Sequence, residues 1–191
     1  MTFDEIIQAL KDARPSFYQY PWPVRVYLHW TAGHYHQPSA AYHICIDADG
    51  SADITRPIDQ APAATYGRNA GSIAITLEGC ADAAAYKGDP YRVDLGSEPP
   101  TDAQIETMAQ LMAAISTIYN IPIDIQHFMT HAEAADNMDG QNLTEPYGPA
   151  TTCERWDLAV LKNDDSWMDG GNILRGKAIF YQQAQSQEEG E

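Results

Sequence analysis

Hydrophobic and polar positions alternate along this chain in two distinct periods. Phe3, Ile6, Ile7 and Leu10 recur at helical spacing behind Thr2, and Glu5 sits three residues after Thr2, the signature of a capping box; Pro15 stops the run. "PVRVYLHW", Pro23–Trp30, then reads as a strand rich in β-branched and aromatic residues. "YHICIDADGSADI" reads as two strands around a turn at Asp47-Ala48-Asp49-Gly50. Ser72–Gly79, "SIAITLEG", has the continuous apolar character of a central, doubly covered strand. "ADAAAYKGDPYRVDLGSEPP" reads as loop. Thr101 and Gln104 make a second capping box, and Ile105, Met108, Leu111, Met112, Ile115 and Ile118 form a core-facing stripe that ends near Asn120.

Beyond that helix, "IDIQHFMTHAEAA" predicts a short strand running into a loop that carries His131, and "GQNLTEPYGPATTC" is turn-rich. "NILRGKAIFYQQAQ" predicts a C-terminal helix. The fold class expected is α/β, a central mixed β-sheet flanked by helices. One domain over residues 1–183 is expected, with its core at about 24–161, a helical extension at about 172–183 and a polar flexible tail at 184–191.

Charge removes one class of function. With 27 acidic and 11 basic residues the formal net charge is −16, and nucleic-acid affinity rests on Lys and Arg clusters that this chain lacks. The N-terminal stretch has no basic region followed by an apolar core, and no segment approaches bilayer-spanning length. Cytoplasmic synthesis without a signal peptide, and no membrane insertion, are the expectations. Cys45, Cys80 and Cys153 are odd in number and widely spaced, which suits reduced thiols.

Candidate chemistry lies at strand ends, where functional side chains collect. His29 ends a strand and His131 follows another. A mononuclear hydrolytic zinc site needs three ligands from His, Cys and carboxylates, with a fourth position open. Two of them fit His29 and His131, and spacing leaves Asp157 and Cys153 as alternatives for the third. A hydrogen-bonded structural histidine and an N-cap aspartate are the ordinary readings of such residues. His43 is expected to face the core, and His36 and His127 to be no ligands.

Taken together and in this order, "LHWTAG", "YHICIDADG", "SIAITLEG", "MTHAEAA" and "ERWD" resemble the type 2 N-acetylmuramoyl-L-alanine amidases, zinc enzymes that include T7-type phage lysozymes and peptidoglycan recognition proteins. The resemblance covers about residues 24–161. It implies one Zn²⁺ per chain on His29, His131 and Asp157, because the family's third ligand, Cys or Asp, follows a basic residue by two positions, here Arg155. It implies Tyr42 as the group assisting catalysis. The family's alternative, a Glu on the third strand, falls on Thr76, with Glu78 two residues on as a second candidate.

Arg155 would then donate to the oxyanion. Where many members carry His-Ala-Gly, this chain has "AATYGRNAG", so Tyr66, Arg68 and Asn69 are candidate substrate contacts, together with Thr31 and His34 in the loop after His29. The resemblance further implies cleavage of the amide between N-acetylmuramic acid and L-alanine in peptidoglycan or a muropeptide. The setting expected is a monomeric phage or prophage endolysin released by a holin. A non-catalytic peptidoglycan-binding module and a cytoplasmic muropeptide-recycling amidase are the alternatives.

Overall fold

A computed structural model describes residues 1–188. Helix α1 spans Phe3–Ala13 behind the expected Thr2–Glu5 box, and a 3₁₀ turn over Arg14–Gln19 takes up Pro15. Strands β1 (Arg25–Trp30), β2 (Ile44–Ile46), β3 (Ala52–Ile54) and β4 (Ser72–Leu77) follow. Next come β5 (Ala84–Tyr86), β6 (Arg92–Asp94), α2 (Asp102–Tyr119), β7 (Phe128–Thr130), α3 (His131–Ala135) and α4 (Gly170–Glu188). Helix α2 starts on the Thr101–Gln104 box and ends where Asn120 takes a left-handed conformation, a standard helix stop.

The main sheet has the order β3-β2-β4-β1-β7, with β4 at its centre as its unbroken apolar run predicts. β1, β2, β4 and β7 run parallel and β3 pairs antiparallel to β2, so the sheet is mixed. The architecture is the α/β class that the sequence predicts. Val26, Leu28 and Trp30 of β1 join the main core with Leu10 of α1, Met108, Leu111 and Met112 of α2, and Leu174 of α4. Tyr27 and Met129 lie in a second, smaller cluster with Ala134. Side chains alternate across a strand, so His29 leaves the sheet on the face of Tyr27.

Three elements differ from expectation. The stretch 81–100, expected to be loop, holds the β5–β6 hairpin, whose three-residue strands are too short to set up a visible alternation; Ala85 and Val93 pack inward against the core. His131 opens a short helix instead of lying in a loop, because Thr130 and Glu133 form a further capping box. The C-terminal helix begins at Gly170 and continues through residues 184–188 of the expected tail, while residues 189–191 lie outside those described.

The start of α3 is clamped from below. Arg175 of α4 donates to both Glu133 carboxylate oxygens, at 2.7 and 2.9 Å, and to the carbonyl of Phe128, all buried. Removing one member of such a pair strands a buried charge and costs about 3–5 kcal/mol. Arg175→Met is therefore expected to lower the melting temperature by roughly 10 °C, read by circular dichroism.

Candidate functional site

Parallel register carries the two histidines together. Thr130 lies opposite Leu28, so the next residue on each strand, His131 and His29, emerge side by side at the carboxyl ends, the usual location of sites in open α/β sheets. Their ring centroids are 4.7 Å apart. Asp157, from the loop before α4, completes the group: its Oδ2 lies 3.4 Å from His29 Nδ1 and 3.2 Å from His131 Nδ1. All three residues are buried, and their ligand atoms fall within 4.8 Å of one another.

This donor set fits a zinc ion. Tetrahedral zinc with bonds of about 2.0–2.1 Å separates neighbouring ligand atoms by roughly 3.4 Å, the spacing of Asp157 Oδ2 from both imidazoles. Both Nε2 atoms point outward to partners. Thr65 Oγ1 lies 3.1 Å from His29 Nε2 and Glu145 Oε2 lies 2.9 Å from His131 Nε2. With Nε2–H donating to those oxygens, each Nδ1 lone pair faces the shared centre, the arrangement in which outer partners orient metal-binding imidazoles. Cys153 lies outside this group, its thiol pushed up by burial and by Asp136, and does not compete with Asp157.

Burial and charge act in opposite directions on the two rings. Burial pushes His29 down to about 4. Burial also opposes a charge on His131, but Asp157 and Glu145 outweigh it and raise this imidazole to about 9. Asp157 is itself held well below the carboxylate range: burial alone would raise it, and the His131 charge beside it wins.

Between about pH 4 and 9 the chelated protein holds one proton, on His131, that zinc must displace. Zinc affinity is expected to fall about tenfold per unit as pH drops through that window, measured by chelator competition. His131 also contributes stability to the chelated protein that is full below about 6.5 and lost as pH rises through about 9.

A cleft of about 270 Å³ opens beside the triad, lined by Trp30, Thr31, Tyr42, Arg155, Trp156 and His131 among others. Its volume lies just below the range of about 300–1,000 Å³ common for ligand sites. Tyr42 precedes β2; its ring centroid is 5.1 Å from that of His29, and its hydroxyl donates to the Trp30 carbonyl at a long 3.4 Å. Burial and Asp157 push this phenol up, so it keeps its proton. Arg155 is half-exposed at the cleft mouth, its Nε 3.7 Å from Glu145 Oε1 and its guanidinium 6.0 Å from the Tyr147 ring centre.

The other expected site residues are placed differently. Glu78 does not line the cleft: β4 ends at Leu77, and the carboxyl is buried, which pushes it up, with the charge of Asp47 adding to the rise. His34 is exposed and paired with Glu98 at 2.9 Å, outside the cleft. Thr31 does line it, but its hydroxyl donates to the Gly79 carbonyl and accepts from the Gly33 and Gly79 amides, so it joins the ends of β1 and β4.

Asn69 accepts from the amides of Ala64 and Thr65, and Arg68 is buried against Asp139; both belong to the framework. Tyr66 is exposed and lies outside the cleft lining. Glu145 and Thr65 were not expected at all. A turn-rich segment and a loop hid them, and no periodic signal marks a residue whose partner is a distant imidazole.

Comparison with known proteins adds the family. The family model described as N-acetylmuramoyl-L-alanine amidase, Amidase_2, matches residues 19–148, which hold His29, Tyr42 and His131; Arg155 and Asp157 lie beyond the match. Among solved structures, the Ph2119 endolysin from Thermus scotoductus MAT2119 bacteriophage Ph2119 is 19% identical, with 58% of this chain and 72% of that chain covered and a TM-score of 0.43. The N-acetylmuramoyl-L-alanine amidase LysC from Clostridium intestinale URNW is 20% identical, with 57% and 70% covered and a TM-score of 0.43. A search among curated protein sequences finds no match. The family model spans well over half of the sequence, and the chain belongs to the Amidase_2 family of N-acetylmuramoyl-L-alanine amidases.

Proposed function

We propose that this protein is a zinc-dependent peptidoglycan amidase that hydrolyses the amide joining N-acetylmuramic acid to L-alanine, and that it serves as a phage or prophage endolysin. The observation that carries the reading is the buried His29–His131–Asp157 group opening onto a cleft that also holds Tyr42 and Arg155. The family description and the endolysin names of the similar structures support it. A complete ligand set favours catalysis over mere binding. Among the described residues no helix is long and apolar enough to cross a membrane.

Zinc bound at this site would supply a water of pKa about 7 and a Lewis acid for the scissile carbonyl. His29 and His131 present Nδ1, and Thr65 and Glu145 fix how the two rings point. Arg155, at the mouth, donates N–H groups toward the carbonyl oxygen as it gains charge, and its guanidinium stays protonated throughout. Tyr42 Oη holds its proton beside His29 and can exchange its long bond to Trp30 for one to the departing alanine nitrogen. Trp30 and Trp156, packed edge to face with centroids 4.6 Å apart, form an apolar wall that limits water around the reacting bond.

The test is incubation of the purified protein with insoluble peptidoglycan and, separately, with a soluble muropeptide, scoring new N-terminal alanine. Cleavage of both substrates, lost on chelation and restored by zinc, is expected. Cleavage of the soluble substrate alone would remove the endolysin role and leave the amidase. No cleavage of either by zinc-supplemented protein would overturn the proposal.

A further inference from the structure

The outer partners of the two histidines come from different loops: Thr65 from residues 64–69 and Glu145 from residues 139–145. These loops are joined by a buried ion pair. Arg68 Nε donates to Asp139 Oδ2 at 2.7 Å and Nη2 to Asp139 Oδ1 at 3.0 Å, with side-chain exposures of 0% and 1%. The same guanidinium spans further. Nη2 donates to the Leu143 carbonyl at 2.9 Å and Nη1 to the Tyr66 carbonyl at 3.3 Å, so one side chain ties down both loops next to each partner.

The local bonding carries that fix to the partners themselves. Asn69, next to Arg68, holds the amides of Ala64 and Thr65 at 3.0 Å. Across the joint, Asp139 accepts from Gln141 Nε2 at 2.6 Å, and Gln141 reaches the hydroxyl of Tyr27, two residues before His29 on β1. The loops also touch at Gly67, where a Cβ would come within 2.2 Å of Leu143 Cδ2. Glu145, two residues after Leu143, is then set by its amide on the Ala135 carbonyl at 2.8 Å.

We infer that Arg68 and Asp139 form a positioning clasp that holds Thr65 and Glu145 in place together, and through them the orientation of both metal-binding imidazoles. The inference rests on the metal site proposed above and not on the substrate. Energetics favour this role over plain stability. A buried ion pair gains little over apolar residues of like volume because of its desolvation cost, whereas a bidentate fork fixes direction as well as distance. Outer partners of metal-binding histidines typically change metal affinity by about 10–100-fold.

The test separates positioning from stability. Zinc affinity is measured by competition with a chromogenic chelator, and thermal unfolding of the chelated protein is measured in parallel, for the wild type, Arg68→Met/Asp139→Leu and Arg68→Lys. The apolar pair is expected to unfold at close to the wild-type temperature yet bind zinc about 10–100-fold more weakly. Arg68→Lys keeps the charge and loses the fork, so its zinc affinity is expected to fall several-fold with little thermal change, which keeps the test intact should the double variant not fold.

Wild-type zinc affinity, within twofold, in a folded variant would overturn the clasp. A wild type that binds no zinc would overturn the metal reading and the clasp with it. Because zinc is read without substrate, failure of wall cleavage alone leaves the clasp standing.

Discussion

Asp157→Ala is expected to abolish amide cleavage, with a rate loss of about 10³-fold or more, and to lose zinc as well. Asp157 is the hinge of the group: one oxygen, Oδ2, lies within 3.4 Å of His29 Nδ1 and 3.2 Å of His131 Nδ1. Its removal leaves two imidazoles, one of which binds protons up to about pH 9 only because that carboxylate and Glu145 are there. A Lewis acid at the scissile carbonyl is worth several kcal/mol of transition-state stabilisation, and each 1.36 kcal/mol is a factor of ten. Asp157→Cys is the informative control, since a thiolate is an equally good zinc ligand and is expected to retain metal and most of the activity. Steady-state cleavage of a muropeptide, with metal content measured on the same samples, checks both variants.

Arg155→Met is expected to lower kcat by about 10²–10³-fold, the usual cost of losing one oxyanion donor, with zinc content unchanged. The separation is possible because Arg155 touches no ligand of the triad directly; its contacts are Glu145 and the face of Tyr147, and it is half-exposed at the cleft mouth. Arg155→Lys should recover most of the rate. An ammonium supplies a charged donor at the same mouth but cannot make two parallel bonds. If Arg155→Met instead lost zinc while keeping kcat per bound metal, its role would be to hold Glu145, and the oxyanion assignment would fail.

Legibility in the sequence followed the physics of each signal. Capping boxes at Thr2–Glu5 and Thr101–Gln104 were readable because they are local, and β4 was readable because a strand covered on both faces cannot hide its apolar run. The hairpin over Ala84–Asp94 was not, since only Ala85 and Val93 face inward and two residues make no pattern. Strand-end placement singles out His29 and His131, and the family resemblance selects Asp157 over Cys153; the structure brings those three together, with Tyr42 and Arg155 beside them.

Glu78, Arg68 and Asn69 do not line the cleft, for different reasons. Glu78, the second candidate two residues after Thr76, lies past Leu77, where the strand stops. Arg68 and Asn69 stand where many family members carry His-Ala-Gly, and nothing local shows that Asp139, at a sequence distance of 71, is the partner of Arg68. Thr65 and Glu145 were invisible for the same reason, since each meets its histidine only after the sheet has formed.

Elemental analysis of zinc in purified wild-type protein and in His131→Ala tests the central claim most directly. About one zinc per chain in the wild type and none in the variant is the predicted result. Folded wild-type protein that stays free of zinc after zinc is added in excess would contradict it.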